Sequence, residues 1–327
     1  MTHPPLLEIR DLVIDYRTAK GAVHAVRGVN LTVERGQVLG LVGESGSGKS
    51  TLVSAMMALL ADNARVSGSL LFEGRDLTTM TERQRRHLRG NGIASIFQDP
   101  FTALNPVVSI GTLLTEVQHH KPDRSRAEKK RRAIEMLIRV GISDPERRLK
   151  QYAFELSGGM RQRISIAAAL LTEPALLIAD EPTTALDATT EAQIVDLLRR
   201  SRDLVDGAIV FVTHHLGLVA ELCDQAAVMY GGEIVEVGPV RRLFKAPTHP
   251  YTKALLQCDP ALLHEPTRHL PTIGGTIPNL QSEIAGCSYS PRCAEAMERC
   301  TTTSPRKVEI SDGSWDGGWA RCHRVQA

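Results

Sequence analysis

VLGLVGESGSGKSTLVSAMMALL, Val38 to Leu60, joins an apolar run, a glycine-rich turn and a second apolar stretch opened by a lysine and a serine. Within it GESGSGKS, Gly43–Ser50, fits the phosphate-binding pattern G-x-x-x-x-G-K-[ST]. The flanks read as a buried strand and a helix, the context this pattern requires. Gly46 and Gly48 let the backbone turn its N–H groups toward a polyphosphate, with Gly43, Ser45, Ser47 and Thr51 completing the cradle. Lys49 can reach the β and γ phosphates, and the Ser50 hydroxyl can ligate Mg²⁺.

Further along, ALLIADEP, Ala175–Pro182, is a second apolar strand ending in two carboxylates. At the C-terminal edge of a parallel sheet, Asp180 would hold a metal through its waters and Glu181 would polarise an attacking water. Two acids after a strand often mean only a solvated loop, but a phosphate cradle in the same chain favours chemistry. No N-K-x-D motif for reading guanine occurs.

The 327 residues allow roughly two domains. Thirty-nine Lys and Arg against thirty-seven Asp and Glu give a net charge of +2, too small for a protein built to coat nucleic acid or anionic lipid. The N-terminal residues lack the pattern of a secretory signal, and apolar runs such as AIVFV and PALLIA fall far short of the ~18 residues needed to cross a bilayer. A cytosolic chain is expected, in which stable disulfides are rare.

LSGGMRQR, Leu156–Arg163, decides the branch. With the P-loop, Gln98 in FQDP, the Asp180 and Glu181 pair, TALD ending at Asp187, and His214 after AIVFVT, it resembles the ATP-binding subunits of ABC transporters. The resemblance covers the whole chain. It implies an α/β P-loop NTPase (RecA-like) cassette with an antiparallel β subdomain, a helical subdomain and a small cysteine-containing C-terminal extension. It further implies that Ser157, Gly158 and Gly159 open a helix and bind the γ-phosphate of ATP held by the opposite subunit, so each ATP is sandwiched between two subunits. Tyr16 matches the aromatic stacked on adenine, Gln98 the residue linking Mg²⁺ and water to the transporter interface, Asp187 an organiser of the opposite site, and His214 the switch histidine. Glu181, His214, Gln98 and Lys49 are the implied catalytic set, and Ser50, Gln98 and Asp180 the implied Mg²⁺ set. The family usually has aspartate where this chain has His215, which puts the tuning of that loop in question.

The segment RAEKKRRAIEMLIRVGI, Arg126–Ile142, has Ala133, Leu137 and Val140 at helical spacing and resembles the family's helical subdomain, about 99–170 within a cassette of 1–245. Its basic run lacks interleaved aromatics and reads as a solvated helix face, not as a nucleic-acid patch.

APTHPYTKALL, Ala246–Leu256, then IGGTIPNL and a cysteine cluster resemble the extension of oligopeptide and dipeptide importer ATPases, here 246–327. The resemblance implies ATP-driven peptide uptake at the cytoplasmic face of the inner membrane. The implied partners are a paralogous ATP-binding subunit or a second copy, two transmembrane permease subunits and an extracytoplasmic binding protein. The alternative is a soluble ABC ATPase acting on nucleic acid or ribosomes. Of six cysteines, Cys223 reads as a buried packing thiol and Cys258 has no motif around it, while Cys287, Cys293, Cys300 and Cys322 are separated by five, six and twenty-one residues. Four thiols match the ligand count of structural zinc or an iron–sulfur cluster, though no tight C-x₂₋₄-C pair is present, and unmetallated thiols are a third reading. Some members of the resembling subfamily hold a [4Fe–4S] cluster at this spacing. The tail from Ile273 to Ala327 reads as too poor in sustained apolar periodicity to order itself without such a centre.

Overall fold

The computed structural model describes residues 4–184, 186–259, 271–310 and 317–325. It divides into two compact units, Met1–Thr79 with Phe211–Ala327, and Met80–Val210.

The first unit opens with β1 (Leu7–Thr18) and β2 (Gly21–Val33), an antiparallel hairpin whose register runs from Leu7 opposite Val33 to Tyr16 opposite Val23. Leu7, Ile9, Leu12 and Ile14 are buried, and the shift of phase between Ile9 and Leu12 coincides with a register shift. One extra residue reverses the facing of all that follow, so the irregularity keeps both apolar pairs inside. With β4 (Ala64–Phe72) and β5 (Arg75–Asp76), these strands form an antiparallel sheet of order β2-β1-β4-β5.

β3 (Val38–Val42) is buried at every residue, as a strand covered on both faces must be. It pairs parallel with β9 (Gln225–Tyr230), which pairs antiparallel with β10 (Glu233–Pro239). β11 (Val308–Glu309) and β12 (Trp319–Ala320) extend the sheet, β12 pairing with β10 through Trp319 opposite Val237. The tail is therefore not ordered only from within: Trp319, Cys300, Cys322 and Tyr289 are buried, Tyr289 against the core rings of Tyr230 and Tyr251 at 5.1 and 5.2 Å. The expectation of a tail too apolar-poor to order considered its own residues alone, whereas it borrows partners from β10 and the tyrosine core. Cys223 is half-buried at a helix end, not fully enclosed.

A buried ion pair joins sheet to extension. The Arg242 and Glu236 side chains are almost wholly enclosed and 3.0 Å apart. Isolated charges could not persist there, but Glu236 also accepts the backbone N–H groups of Thr248 and His249, and Arg242 also donates to Val237 O and Thr248 Oγ1. His249 is thereby fixed at the start of the helix Pro250–Gln257, where its Nδ1 accepts the N–H of Tyr251 at 3.0 Å.

In the second unit, β6 (Ile93–Ile96) pairs parallel with β7 (Leu176–Asp180), in the order β8-β7-β6 with β8 (Ala208–Thr213), which begins in this unit and ends in the first. Between β6 and β7 the described residues form no strand; the main helices are Ile110–Glu116, Arg126–Arg139 and Gly158–Leu171. Ser109, Ser125 and Ser157 cap them, each hydroxyl accepting the N–H three residues on. Ala133, Leu137 and Val140 face inward as their spacing predicts. No helix among the described residues is long and apolar enough to cross a membrane.

Burial lowers the His249 pKa from 6.5 to about 3, Lys253 adding to the effect. Below ~6.5 the unfolded chain takes a proton that the folded chain refuses, so this contribution to stability is whole above that pH. It falls by ~1.4 kcal/mol per pH unit toward ~3. Urea denaturation of His249→Asn, which keeps a cap acceptor without titrating, should show a shallower loss of stability from pH 6.5 to 5 than the wild type. Equal slopes would contradict the neutral buried imidazole.

Candidate functional site

β3 delivers the chain into the Gly43–Ser50 loop, and the helix Lys49–Met56 starts at its end. Gly48 holds this helix start in the left-handed region (φ 107°) with no side chain capping it, leaving the first N–H groups directed outward for an anion. A Cβ at Gly48 would lie 2.5 Å from Ala25 O, so both conformation and space demand glycine. Lys49 is buried, its Nζ donating to Gly43 O at 2.6 Å and Glu44 O at 3.0 Å. Ser47 is wholly buried, and its hydroxyl has no hydrogen-bond partner among the described residues. Ser45, Gly46 and Ser50 are exposed and Thr51 half-buried, so the loop presents a polar mouth above a fixed base. Tyr16 is half-buried on β1 and His214 is exposed after β8, both in the first unit with the P-loop. The His214 and His215 rings lie 4.2 Å apart, and the His215 N–H donates to Thr213 Oγ1.

The loop is held from the C-terminal extension by contacts that local sequence reading missed. The Glu44 N–H donates to the Tyr251 hydroxyl at 2.9 Å, and Arg292 donates to both Glu44 carboxylate oxygens at 2.7 and 3.0 Å. A tyrosine in HPYT and an arginine between two cysteines carry no local pattern that points across more than two hundred residues.

The second unit holds Gln98, Ser157, Gly158, Gly159, Asp180, Glu181 and Asp187. Gln98 Nε2 donates to Glu181 Oε2 at 3.1 Å, and Thr184 Oγ1 donates to the same oxygen at 3.0 Å. Glu181 has φ 45°, a conformation that costs a non-glycine residue on the order of 1 kcal/mol and is common where a side chain must be aimed. Ser157 is exposed at the start of a 14-residue helix. A Cβ at Gly159 would meet Thr190 at 2.7 Å, and Thr190 in turn donates to the Asp187 carboxylate through both N–H and hydroxyl. These bonds hold the Asp187 pKa below the ordinary carboxylate range. Gln162, another residue not singled out by sequence, is buried and donates to Pro182 O at 2.7 Å, tying this helix to the turn after Glu181.

Cys287, Cys293, Cys300 and Cys322 line one small cavity together with His249, Glu295 and His323. None of the six cysteines is in a disulfide. Burial pushes the Cys287 thiol up to about 11 and raises Cys293 and Cys322, while the N–H groups of Tyr289, Glu295 and Arg324 respectively oppose the rise. The Met297 N–H reaches Cys300 Sγ at 3.4 Å. Among the described residues no three His, Cys, Asp or Glu side chains converge to hold a single metal ion.

Residues 26–184 match the ABC transporter family, and residues 235–300 match the oligopeptide/dipeptide transporter C-terminal region. The chain is 44% identical to the oligopeptide transport ATP-binding protein OppD of Bacillus subtilis, over 96% of this chain and 88% of that one. It is 46% identical to the OppD of Salmonella typhimurium, over 92% and 89%. Among solved structures it resembles cbiO1 of Clostridium perfringens, part of the ABC transporter complex cbiONQ, with TM-score 0.64, 28% identity and coverage of 75% of this chain and 92% of that one. It shares its fold with the ATP-binding cassette MJ0796, solved as a dimer in a post-hydrolysis state with ADP and Pi, at TM-score 0.64, 24% identity and coverage of 72% and 99%.

Gly48→Ala should lower stability by ~1–3 kcal/mol from backbone strain alone and abolish nucleotide binding through displacement of the loop. Gly36→Ala, at a left-handed position with open space around it, should cost no more than the strain and leave binding intact. Thermal denaturation and nucleotide titration would check both, and a Gly48→Ala protein that binds nucleotide normally would contradict the packing described.

Proposed function

The chain belongs to the ATP-binding subunits of ABC transporters, and from that premise we propose that it hydrolyses ATP to drive peptide uptake through a membrane permease. The observation that carries the peptide reading is the joint match of cassette and oligopeptide/dipeptide extension to transport subunits over nearly the whole chain. Its partners are two permease subunits, an extracytoplasmic binding protein and a second ATP-binding subunit, with the chain peripheral at the cytoplasmic face of the inner membrane. The acting-on-nucleic-acid alternative gains nothing from these relatives.

In this proposal Tyr16 stacks on adenine, and the N–H groups of Gly43, Ser45, Gly46, Ser47, Gly48 and Thr51 with Lys49 take the phosphates. Ser50, Asp180 and Gln98 are the Mg²⁺ set, directly or through water; bound there, the ion neutralises charge on the phosphates. Glu181, aimed by its backbone and held by Gln98, accepts the proton of the attacking water. His214 contacts the γ-phosphate, while Ser157, Gly158 and Gly159 offer an open helix start to the γ-phosphate of the opposite subunit and Asp187 shapes that junction. Hydrolysis then requires two subunits to close on each ATP.

We also infer that Cys287, Cys293, Cys300 and Cys322 hold a [4Fe–4S] centre of structural role. Four thiols lining one cavity match the ligand count of such a centre, one iron per thiol, and the tight C-x₂₋₄-C pair usual in zinc sites does not occur. N–H groups directed at the sulfurs would stabilise thiolates there.

Two outcomes are expected. Glu181→Gln should retain ATP, trap a closed dimer and lose about a hundredfold in turnover, whereas Lys49→Ala should weaken binding itself. Unimpaired turnover by Glu181→Gln within the full transporter would remove Glu181 from its role. Protein purified without oxygen should be brown with ~4 iron per chain, and Cys293→Ser should bleach it; stoichiometric zinc without iron, or no metal at all, would sink the cluster.

A further inference from the structure

The P-loop of this chain carries an acid, Glu44, on the strand side of the loop that must receive a polyanion. A carboxylate so placed raises the negative potential where phosphates bind, and the penalty is largest where water is scarce. The structure shows what offsets it. Arg292 is drawn in from the extension with its side chain only 3% exposed, and meets both carboxylate oxygens in a two-pronged pair. It does not float there on the carboxylate alone: its guanidinium also donates to Gly274 O at 2.8 Å, Ile273 O at 3.0 Å and the Tyr230 hydroxyl at 3.3 Å. The hydrogen bonds to the Glu44 carboxylate raise the Arg292 pKa against the opposing effect of burial, so the charge is retained.

The same stretch of chain lies over the loop itself. Ile277 comes within 3.7 Å of the place a Cβ would take at Gly46, and Leu280 O accepts the N–H of His24 at 2.8 Å. Arg292 precedes Cys293, one of the four cysteines around the cavity, and follows Tyr289, which packs on Tyr230 and Tyr251. The cysteine-bearing tail thus supplies the counter-charge to the phosphate loop.

We propose that Arg292 is a positioning residue for ATP binding: by pairing with Glu44 it neutralises the P-loop's own carboxylate, so that nucleotide affinity depends on the docked C-terminal extension. This rests on the ATPase reading of the P-loop. It separates from a merely structural anchor by one property: if the harm in losing Arg292 is an unpaired charge, removing that charge repairs it.

MgATP affinity of the full chain, by calorimetric titration, and KM for ATP in the assembled transporter are the readouts. Arg292→Ala should raise the Kd for MgATP and the KM by about tenfold with little change in kcat, Arg292→Lys by less, since lysine keeps the charge without the fork. Adding Glu44→Gln to Arg292→Ala should return affinity to within about threefold of wild type. Wild-type affinity in Arg292→Ala would overturn the proposal. A double variant as weak as the single would also overturn it, because the loss would then come from a disordered tail and not from charge. A wild-type chain that binds no MgATP would instead overturn the ATPase reading on which the proposal stands.

Discussion

Glu44 is held at both ends, its N–H by the Tyr251 hydroxyl and its carboxylate by Arg292, and the geometry of the phosphate loop depends on that double hold. The Tyr251 side runs back in unbroken steps. Glu236 accepts the N–H groups of Thr248 and His249; His249 Nδ1 accepts the N–H of Tyr251; the Tyr251 hydroxyl accepts the N–H of Glu44. Each step fixes a buried polar group that would otherwise be unsatisfied, which is why a charged pair, a neutral histidine and a tyrosine hydroxyl can all sit in the interior. The HPYT stretch is therefore a connector from β10 to the phosphate loop. What matches the oligopeptide/dipeptide C-terminal region is part of the support for the loop as much as an appendage to the cassette.

The second unit applies the same economy to a different problem. Its helix Gly158–Leu171 must begin at a fixed place with its N–H groups available. Ser157 caps one of them, Gly159 lets Thr190 approach, and Gln162 anchors the first turns to Pro182. Glu181, just past the end of β7, is aimed by its own strained backbone and by the Gln98 amide, which donates to it. Parts that sequence presents as separate motifs are thus joined by single hydrogen bonds.

Much of this was legible. The P-loop, Leu156–Arg163 and the strand ending at Asp180 each pair a fixed spacing with a local structure that the spacing requires, so the helix starts at Gly48 and Ser157 could be read from it. Helix starts at Ser109, Ser125 and Ser157 follow from capping chemistry. Arg292 was not legible, because nothing near it records that its partner lies 248 residues away. Nor was the burial of His249, since a histidine beside a proline reads as a turn until Glu236 is seen beneath it. The tail was underestimated for a related reason: Trp319 and Tyr289 look isolated in sequence and find their apolar partners on β10 and in the tyrosine core. The four cysteines gave the ligand count, while their meeting at one cavity needed the structure.

The proposed function rests on coupling between the cassette and a cargo delivered by other subunits, and one measurement addresses that directly. The full complex would be purified with this chain as bait, reconstituted in vesicles, and its ATP hydrolysis followed as peptide-loaded binding protein is added. The account predicts that hydrolysis rises with loaded binding protein and that peptide accumulates inside in proportion. Hydrolysis indifferent to peptide and membrane subunits, yet raised by nucleic acid or ribosomes, would contradict it.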